Sequence, residues 1–303
     1  MKKIGVIGLG TIAQKAYLPV FADLRENYDW VLTTRDGEKL SSLALKYGFK
    51  KGFQSIGELL KSGIDAIFIH TPTATHYDII KKCLNAGIDV YVDKPISENL
   101  DEVTEMYNLA ESKGLLLTCG FNRRFIPFNK QIRLDTNRRV EVVKNRIGEQ
   151  QDVNYAIFDL LLHCVDTAIF EMGTSKAIYE SGLIQAKDQK LVSAEVVMRD
   201  GFKVGRAVID MQAGANRETV QVVNEKGIMQ VKDCRQLDII ADASDQTFMA
   251  PDWESNLITR GFQPLILDFL KALDTRNNPV PPETAILSHK ICTDLISRAK
   301  VLK

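Results

Sequence analysis

The chain opens on a short β-branched run, Lys3-Ile4-Gly5-Val6-Ile7, that passes without a break into Gly8-Leu9-Gly10-Thr11-Ile12-Ala13. Small residues at this spacing, between a strand and a helix, leave few choices of fold. Gly8 permits a tight turn, Gly10 lets the main chain approach a diphosphate, and Ala13 lets the helix lie close on the strand. The helix N-terminus then points its N–H groups at the anion. A tight turn that binds nothing is the alternative. The strand–helix–strand setting favours a dinucleotide, with Gly8, Gly10, Thr11, Ile12 and Ala13 as its contacts.

That setting continues to residue 119. Strands are expected at Lys3–Ile7, Trp30–Thr33, Ala66–Ile69, Asp89–Val92 and Leu115–Cys119, with helices between them. Thr75 is placed to cap one helix and Gly87 to end it, and Gly114 closes the helix from Asp101 to Lys113. Strand and helix in alternation mean parallel strands with right-handed crossovers, hence an α/β, doubly wound sheet. From about Val140 longer alternating runs take over: Val140–Asn145, Ala177–Ala186, Leu191–Met198, Lys203–Met211, Thr219–Val223 and Ile228–Lys232. Asp200-Gly201 and Glu225-Lys226-Gly227 are turn signals between them. Helices are expected at Ala156–Met172, Phe262–Asp274 and Pro282–Lys303. The reading is a Rossmann domain over 1–122 and an α+β domain over 123–303, built on an open, mainly antiparallel sheet, with the C-terminal helix free to pack back on the first domain.

Composition narrows the partners. Lys and Arg number 39 against 39 Asp and Glu, so there is no basic surplus to bind nucleic acid or an anionic membrane. Five cysteines, with no C-x-x-C pair, offer neither a disulfide framework nor a zinc knuckle, which fits a reducing cytoplasm. Met1-Lys2-Lys3 and the apolar run behind it imitate a signal peptide, but the run is short and broken by glycines. No later window was expected to reach the ~20 apolar residues of a membrane span.

An NAD site would carry an acid about 20 residues beyond the glycines, for the adenosine ribose. Thr34 stands there, followed by Arg35. A hydroxyl and a guanidinium suit a 2′-phosphate, so NADP is expected over NAD, unless Arg35 is a solvated charge and Asp36 reaches the ribose. At the fifth strand, Asp93-Lys94-Pro95 puts a lysine beyond a strand's carboxyl end, where open α/β sheets bind ligands. It is either a proton-handling group or an exposed loop lysine.

The helix from Ala156 is apolar nearly all round except for Asp159, His163, Asp166 and Thr167, which share one face. Such a stripe lines a polar cavity or pairs internally. With four histidines in the chain and one in the stripe, a metal site is not expected. Proton transfer fits better, with His163 and Lys94 as rival bases and Asp159 holding the imidazole or a neighbouring substrate hydroxyl. Arg123 and Arg124 either clamp an anion or brace the structure.

These motifs, in order, resemble the glucose-fructose oxidoreductase/inositol dehydrogenase (Gfo/Idh/MocA) family: Gly8-x-Gly10-x-x-Ala13, Thr71-Pro72 with His76, Asp93-Lys94-Pro95, Gly120 to Phe125, and Asp159-x-x-x-His163. The run Phe158 to Ala168 is most like its MviM-like oxidoreductases. The resemblance implies NAD(P)-linked chemistry on a sugar or polyol, and the open sheet, whose exposed apolar face needs cover, points separately to a homodimer or higher homo-oligomer. The resemblance also implies Lys94 in the family's catalytic position, and Thr71, Pro72, His76, Asp93 and Asn122 near the cofactor. The chain departs from the family in Asp93, where glutamate is usual, in Thr73, where asparagine is common, and in lacking glycines before Asp159. A regulatory protein that keeps the fold without turnover, and a glycosidase using nicotinamide transiently, are the competing readings.

Overall fold

The computed structural model describes residues 1–242 and 244–302. They form two compact units: Met1–Gly120 with Phe262–Pro282, and Phe121–Gly261 with the chain from Glu283 onward.

The first unit is a six-stranded sheet in the order β3-β2-β1-β4-β5-β6. The strands are β1 Lys3–Ile7, β2 Asp29–Thr33, β3 Lys51–Phe53, β4 Ala66–Ile69, β5 Asp89–Val92 and β6 Leu117–Cys119, and every pairing is parallel. Helices cover both faces, so β4 (Ala-Ile-Phe-Ile) and β5 (Asp-Val-Tyr-Val) are buried throughout and carry no alternation. β3 was not foreseen: Lys-Gly-Phe is too short and too poor in β-branched residues to announce itself. Thr75 does sit at the start of a helix, His76–Asn85, but makes no side-chain cap. Its hydroxyl donates to Thr71 Oγ1 and to the Pro72 carbonyl, both at 2.8 Å.

The helix Phe262–Thr275 belongs to this unit, which corrects a second domain running unbroken from 123 to 303. The cause is aromatic packing and one ion pair. Phe269 meets Phe68 and Tyr91 edge-on, Phe262 meets Tyr17, and Arg276 forks Asp89 at 2.6 and 2.9 Å.

The second unit is a nine-stranded sheet. Its strands are β7 Arg139–Asn145, β8 Ile178–Lys187, β9 Lys190–Asp200, β10 Lys203–Asp210, β11 Arg217–Asn224, β12 Gly227–Lys232, β13 Gln236–Ala241, β14 Ser244–Met249 and β15 Lys300–Leu302. Their order is β14-β13-β12-β11-β7-β10-β9-β8-β15, antiparallel except at β7–β10 and β8–β15. Both hairpin turns fall where the sequence put them, Asp200 pairing with Lys203 and Asn224 with Gly227. The last helix stops at Arg298, short of the expected Lys303, because Lys300–Leu302 pairs with β8; Lys303 itself lies outside the described residues.

One sheet face is covered by the helix Leu162–Met172, which packs on β7 and β10. Val140 and Val142 point at it. The other face is mixed. Arg206 pairs with Glu141 at 2.8 Å and Glu195 at 2.5 Å, Arg199 pairs with Glu180, and half-buried Val143, Val197 and Val208 lie between. Val153–Met172 is long and apolar enough to pass for a membrane span by length and composition, contrary to the sequence expectation, but two-thirds of it is buried in the protein. It is a core helix.

Candidate active site

In the first unit the glycine loop is built for close approach. Gly8 has φ +92°, and a Cβ there would lie 2.5 Å from the His70 carbonyl carbon. Gly10 is the opposite case, since a Cβ there would meet no atom of the described residues within 4 Å beyond its own chain neighbours. No contact among the described residues demands glycine at 10. The bare main chain faces open space, which fits a diphosphate laid against it. Thr11 and Ile12 are exposed on the same turn, and Ala13 is fully buried between helix and strand. Ala13–Tyr17 winds as a π turn before the helix Leu18–Asp23, a local irregularity that the motif does not reveal.

At the end of β2 the ribose question narrows. Thr34 donates its N–H to the Phe53 carbonyl at 3.2 Å. Asp36 caps the helix Gly37–Tyr47, its Oδ1 accepting from Lys39 N at 3.0 Å. That oxygen is committed to the helix terminus. Arg35 is exposed and has no hydrogen-bond or ion-pair partner among the described residues.

Around the lysine, β4 and β5 run on past their assigned ends. His70 N donates to Ile7 O and Asp93 N to Ile69 O. The Asp93 carboxylate turns inward, accepting from Tyr17 Oη at 2.6 Å and from His70 Nδ1 at 2.9 Å. Burial works to raise its pKa, but the His70 charge interaction and the two hydrogen bonds prevail and hold it below the usual carboxylate value. His76, 1% exposed, has both ring nitrogens facing carbonyls: Nδ1 to Pro95 and Nε2 to Thr71, each at 2.8 Å. Burial outweighs the two carbonyl acceptors and holds its pKa below the ordinary imidazole value. His76 therefore ties the Thr71-Pro72 loop to the Lys94-Pro95 loop, and its nitrogens are already engaged.

In the second unit the polar stripe divides. Its first turn, Ile157–Leu161, is a π turn that carries half-buried Asp159, and His163 follows on the regular helix, 9% exposed. Asp166 and Thr167 pair internally. Arg124 forks Asp166 at 2.9 and 2.5 Å, Ser288 donates to the same carboxylate at 2.9 Å, and Thr167 Oγ1 donates back to the His163 carbonyl. Arg123 forks Glu218 at 2.9 and 3.0 Å, and Lys144 shares that carboxylate. Burial opposes it, but Arg123 and Lys144 hold the Glu218 carboxyl well below its ordinary value. Both arginines are thus braces. Asn122 is spent too, with Nδ2 donating to the Arg260 carbonyl and Oδ1 accepting from Arg123.

Sequence reasoning missed Tyr17, Lys144 and Glu218, and read His70, at the end of a strand interior to the sheet, as structural. Lys144 and Glu218 are cross-strand partners of β7 and β11, visible only once the register is known. Among the described residues no group of three or more His, Cys, Asp and Glu side chains could hold a metal.

A glycine loop bared for a diphosphate, and a lysine at the carboxyl end of a parallel strand, define a dinucleotide-linked oxidoreductase. The chain belongs to the Gfo/Idh/MocA family: residues 2–121 match its NAD-binding Rossmann fold, and residues 127–242 match the YceM-like C-terminal domain. It is 32% identical to the YceM protein of Salmonella typhimurium, over 93% of this chain and 92% of that one. It is 26% identical to the myo-inositol 2-dehydrogenase of Thermotoga maritima, over 78% of this chain and 77% of that enzyme. The crystal structure of the dehydrogenase MviM from Clostridium difficile superposes with a TM-score of 0.91 at 27% identity, covering 98% of this chain and 99% of that one.

Proposed function

We propose that this protein is an NADP-dependent oxidoreductase that interconverts a secondary alcohol and a ketone on a sugar, polyol or sugar acid. The observation that carries the NADP reading is the end of β2. Arg35 follows the end of β2, exposed and with no partner among the described residues, while Oδ1 of the neighbouring Asp36 is drawn into a helix cap. An unpaired guanidinium attracts a 2′-phosphate that a carboxylate would repel. The polyol reading draws support from the inositol dehydrogenase relative.

When bound, NADP supplies or accepts the hydride. The chain supplies the rest. Gly8, Gly10, Thr11, Ile12 and Ala13 hold the diphosphate, and Thr34 with Arg35 holds the phosphorylated ribose. The Thr71-Pro72 turn, braced by His76, flanks the cofactor, and Asp93 and Asn122 act by fixing the main chain beside it. Lys94 stabilises the alkoxide that forms as the carbinol loses its proton. His163 takes that proton at an imidazole nitrogen, with Asp159 orienting the ring or the neighbouring substrate hydroxyl. A homodimer across the mixed outer face of the second sheet belongs to the same reading; a light-scattering mass near 34 kDa would remove it.

Calorimetric titration of the cofactor-free chain with NADP⁺ and NAD⁺ tests the proposal. Tight NADP⁺ and weak NAD⁺ is the expected result, to be followed by a sugar and polyol screen at 340 nm. Equal affinities would remove Arg35 from the cofactor site, and binding of neither would remove the dinucleotide.

A further inference from the structure

We propose that Tyr17 and His70 are positioning residues for Lys94, acting through the carboxylate of Asp93. This rests on the reading of Lys94 as a catalytic residue. Four side chains from three segments meet here: Tyr17 from the π turn behind the glycine loop, His70 from the end of β4, and Tyr91 and Asp93 from β5 and the residue just beyond it.

The hydrogen-bond order is fixed by chemistry. Ionised Asp93 only accepts, so Tyr17 donates to Oδ1 and His70 Nδ1 donates to Oδ2. With its proton given to Asp93, Tyr17 Oη accepts from Tyr91 Oη, 2.9 Å away. Every bond in the chain points at the carboxylate and each strengthens the next. The rings leave little slack, with the Tyr17 and His70 centroids 3.9 Å apart and Tyr17 edge-on to Tyr91. Burial and the Asp93 charge push the Tyr17 hydroxyl pKa far up, so it keeps the proton it donates.

The main chain is held as firmly as the side chain. Asp93 N donates to Ile69 O at 3.0 Å, and Gly120 N donates to Val92 O at 2.8 Å. A Cβ on Gly120 would press on Tyr91 Oη and the Asp93 Cα at 3.0 and 3.3 Å. On the other side of Lys94, the Pro95 carbonyl is bonded to His76. Lys94 therefore leaves the fold between two residues that are each fixed by an imidazole. Apolar side chains would fill this space without the cost of burying a carboxylate. What the carboxylate adds is direction, because two donors of fixed geometry determine where residue 93, and hence residue 94, begins.

The test reads Lys94 directly and needs no substrate. The full chain is acetylated with limiting acetic anhydride, and the modification of Lys94 is measured by peptide mass spectrometry relative to exposed Lys61. Tyr17→Phe removes the hydroxyl and keeps the ring; His70→Leu removes the donor; His70→Asn returns an N–H donor near the Nδ1 position. Lys94 labelling is expected to change by about threefold or more in Tyr17→Phe and His70→Leu, and to return towards wild type in His70→Asn. Asp93→Asn, close to isosteric, should reproduce the change and stands in should a ring variant fail to fold. Unchanged labelling in Asp93→Asn and in the folded deletions, even with a lower melting temperature, would leave these residues a packing role only and overturn the proposal. Failure of His70→Asn to differ from His70→Leu would do the same. The two readings fail separately: an inactive Lys94→Ala together with unaltered Lys94 labelling in the Tyr17, His70 and Asp93 variants keeps the chemistry and removes the positioning, whereas an active Lys94→Ala with altered labelling in those variants does the reverse.

Discussion

The two units place their candidate functional groups by different means. In the first, Gly8, Arg35, Thr71 and Lys94 all follow the carboxyl ends of parallel strands, so the sheet brings them to one edge whatever the helices do. In the second, Asp159 and His163 ride on a helix laid over a sheet, and a π turn sets their presentation. Buried charge is handled differently as well. The first unit neutralises Asp93 with uncharged or weakly basic donors, Tyr17 and His70, whereas the second answers Asp166 and Glu218 with guanidinium forks.

The largest effects should come from removing the proton chemistry of either unit. Lys94→Ala and His163→Ala are each expected to lower turnover by about 10²–10⁴-fold while leaving NADP⁺ affinity within a few-fold. A wild-type rate in either, measured by steady-state kinetics, would break the symmetry between the units. Next comes Asp166→Ala, which strands the Arg124 guanidinium in the interior and should cost about 3–5 kcal/mol in urea unfolding. A loss below ~1 kcal/mol would mean that the fork is not what holds the helix.

Two carboxyls of the second unit should drive stability in opposite directions with pH. Glu171 is fully buried, neither carboxyl oxygen has a hydrogen-bond partner among the described residues, and burial holds its pKa well above the ordinary value. The folded chain keeps that proton where the unfolded chain has lost it. Stability therefore falls as pH rises above the ordinary glutamate range, by about 1.4 kcal/mol per pH unit until the folded pKa is reached. Glu218, depressed by Arg123 and Lys144, gives stability that is full above that range and lost as pH falls. Glu171→Gln should therefore raise the unfolding free energy at pH 8 and leave it little changed at pH 4; a uniform shift at both would refute the assignment. The smallest effect is at the cofactor edge. Arg35→Ala should weaken NADP⁺ about tenfold or more, from the ~1.5–3 kcal/mol of a charged hydrogen bond, and leave NAD⁺ nearly untouched.

What could be read in the sequence follows from how far each feature reaches along the chain. β1, β4 and β5 match the expected residues because apolar runs between turn signals are local. β13 and β14 passed unnoticed, since Asp238 and the all-exposed run Ser244–Met249 break the apolar pattern. Lys94 was visible as a strand-end lysine, and His163 as one of a polar stripe. Asp166 stood in that stripe with equal claim, and only Arg124, 42 residues away, separates a structural acid from the candidate site.

By itself the sequence determined the dinucleotide loop, the parallel sheet, the hairpins of the second unit, and the helix that carries Asp159 and His163. Each depends on spacings of a few residues, which fix backbone geometry through the 3.6- and 2-residue periods. Tertiary structure decided which polar side chains are already spent. The partners of Asp93, Asp166 and Glu218 lie 76, 42 and 95 residues off, at Tyr17, Arg124 and Arg123. A charge is burdened or free according to its neighbours in space, and those neighbours are fixed only once the sheets have paired.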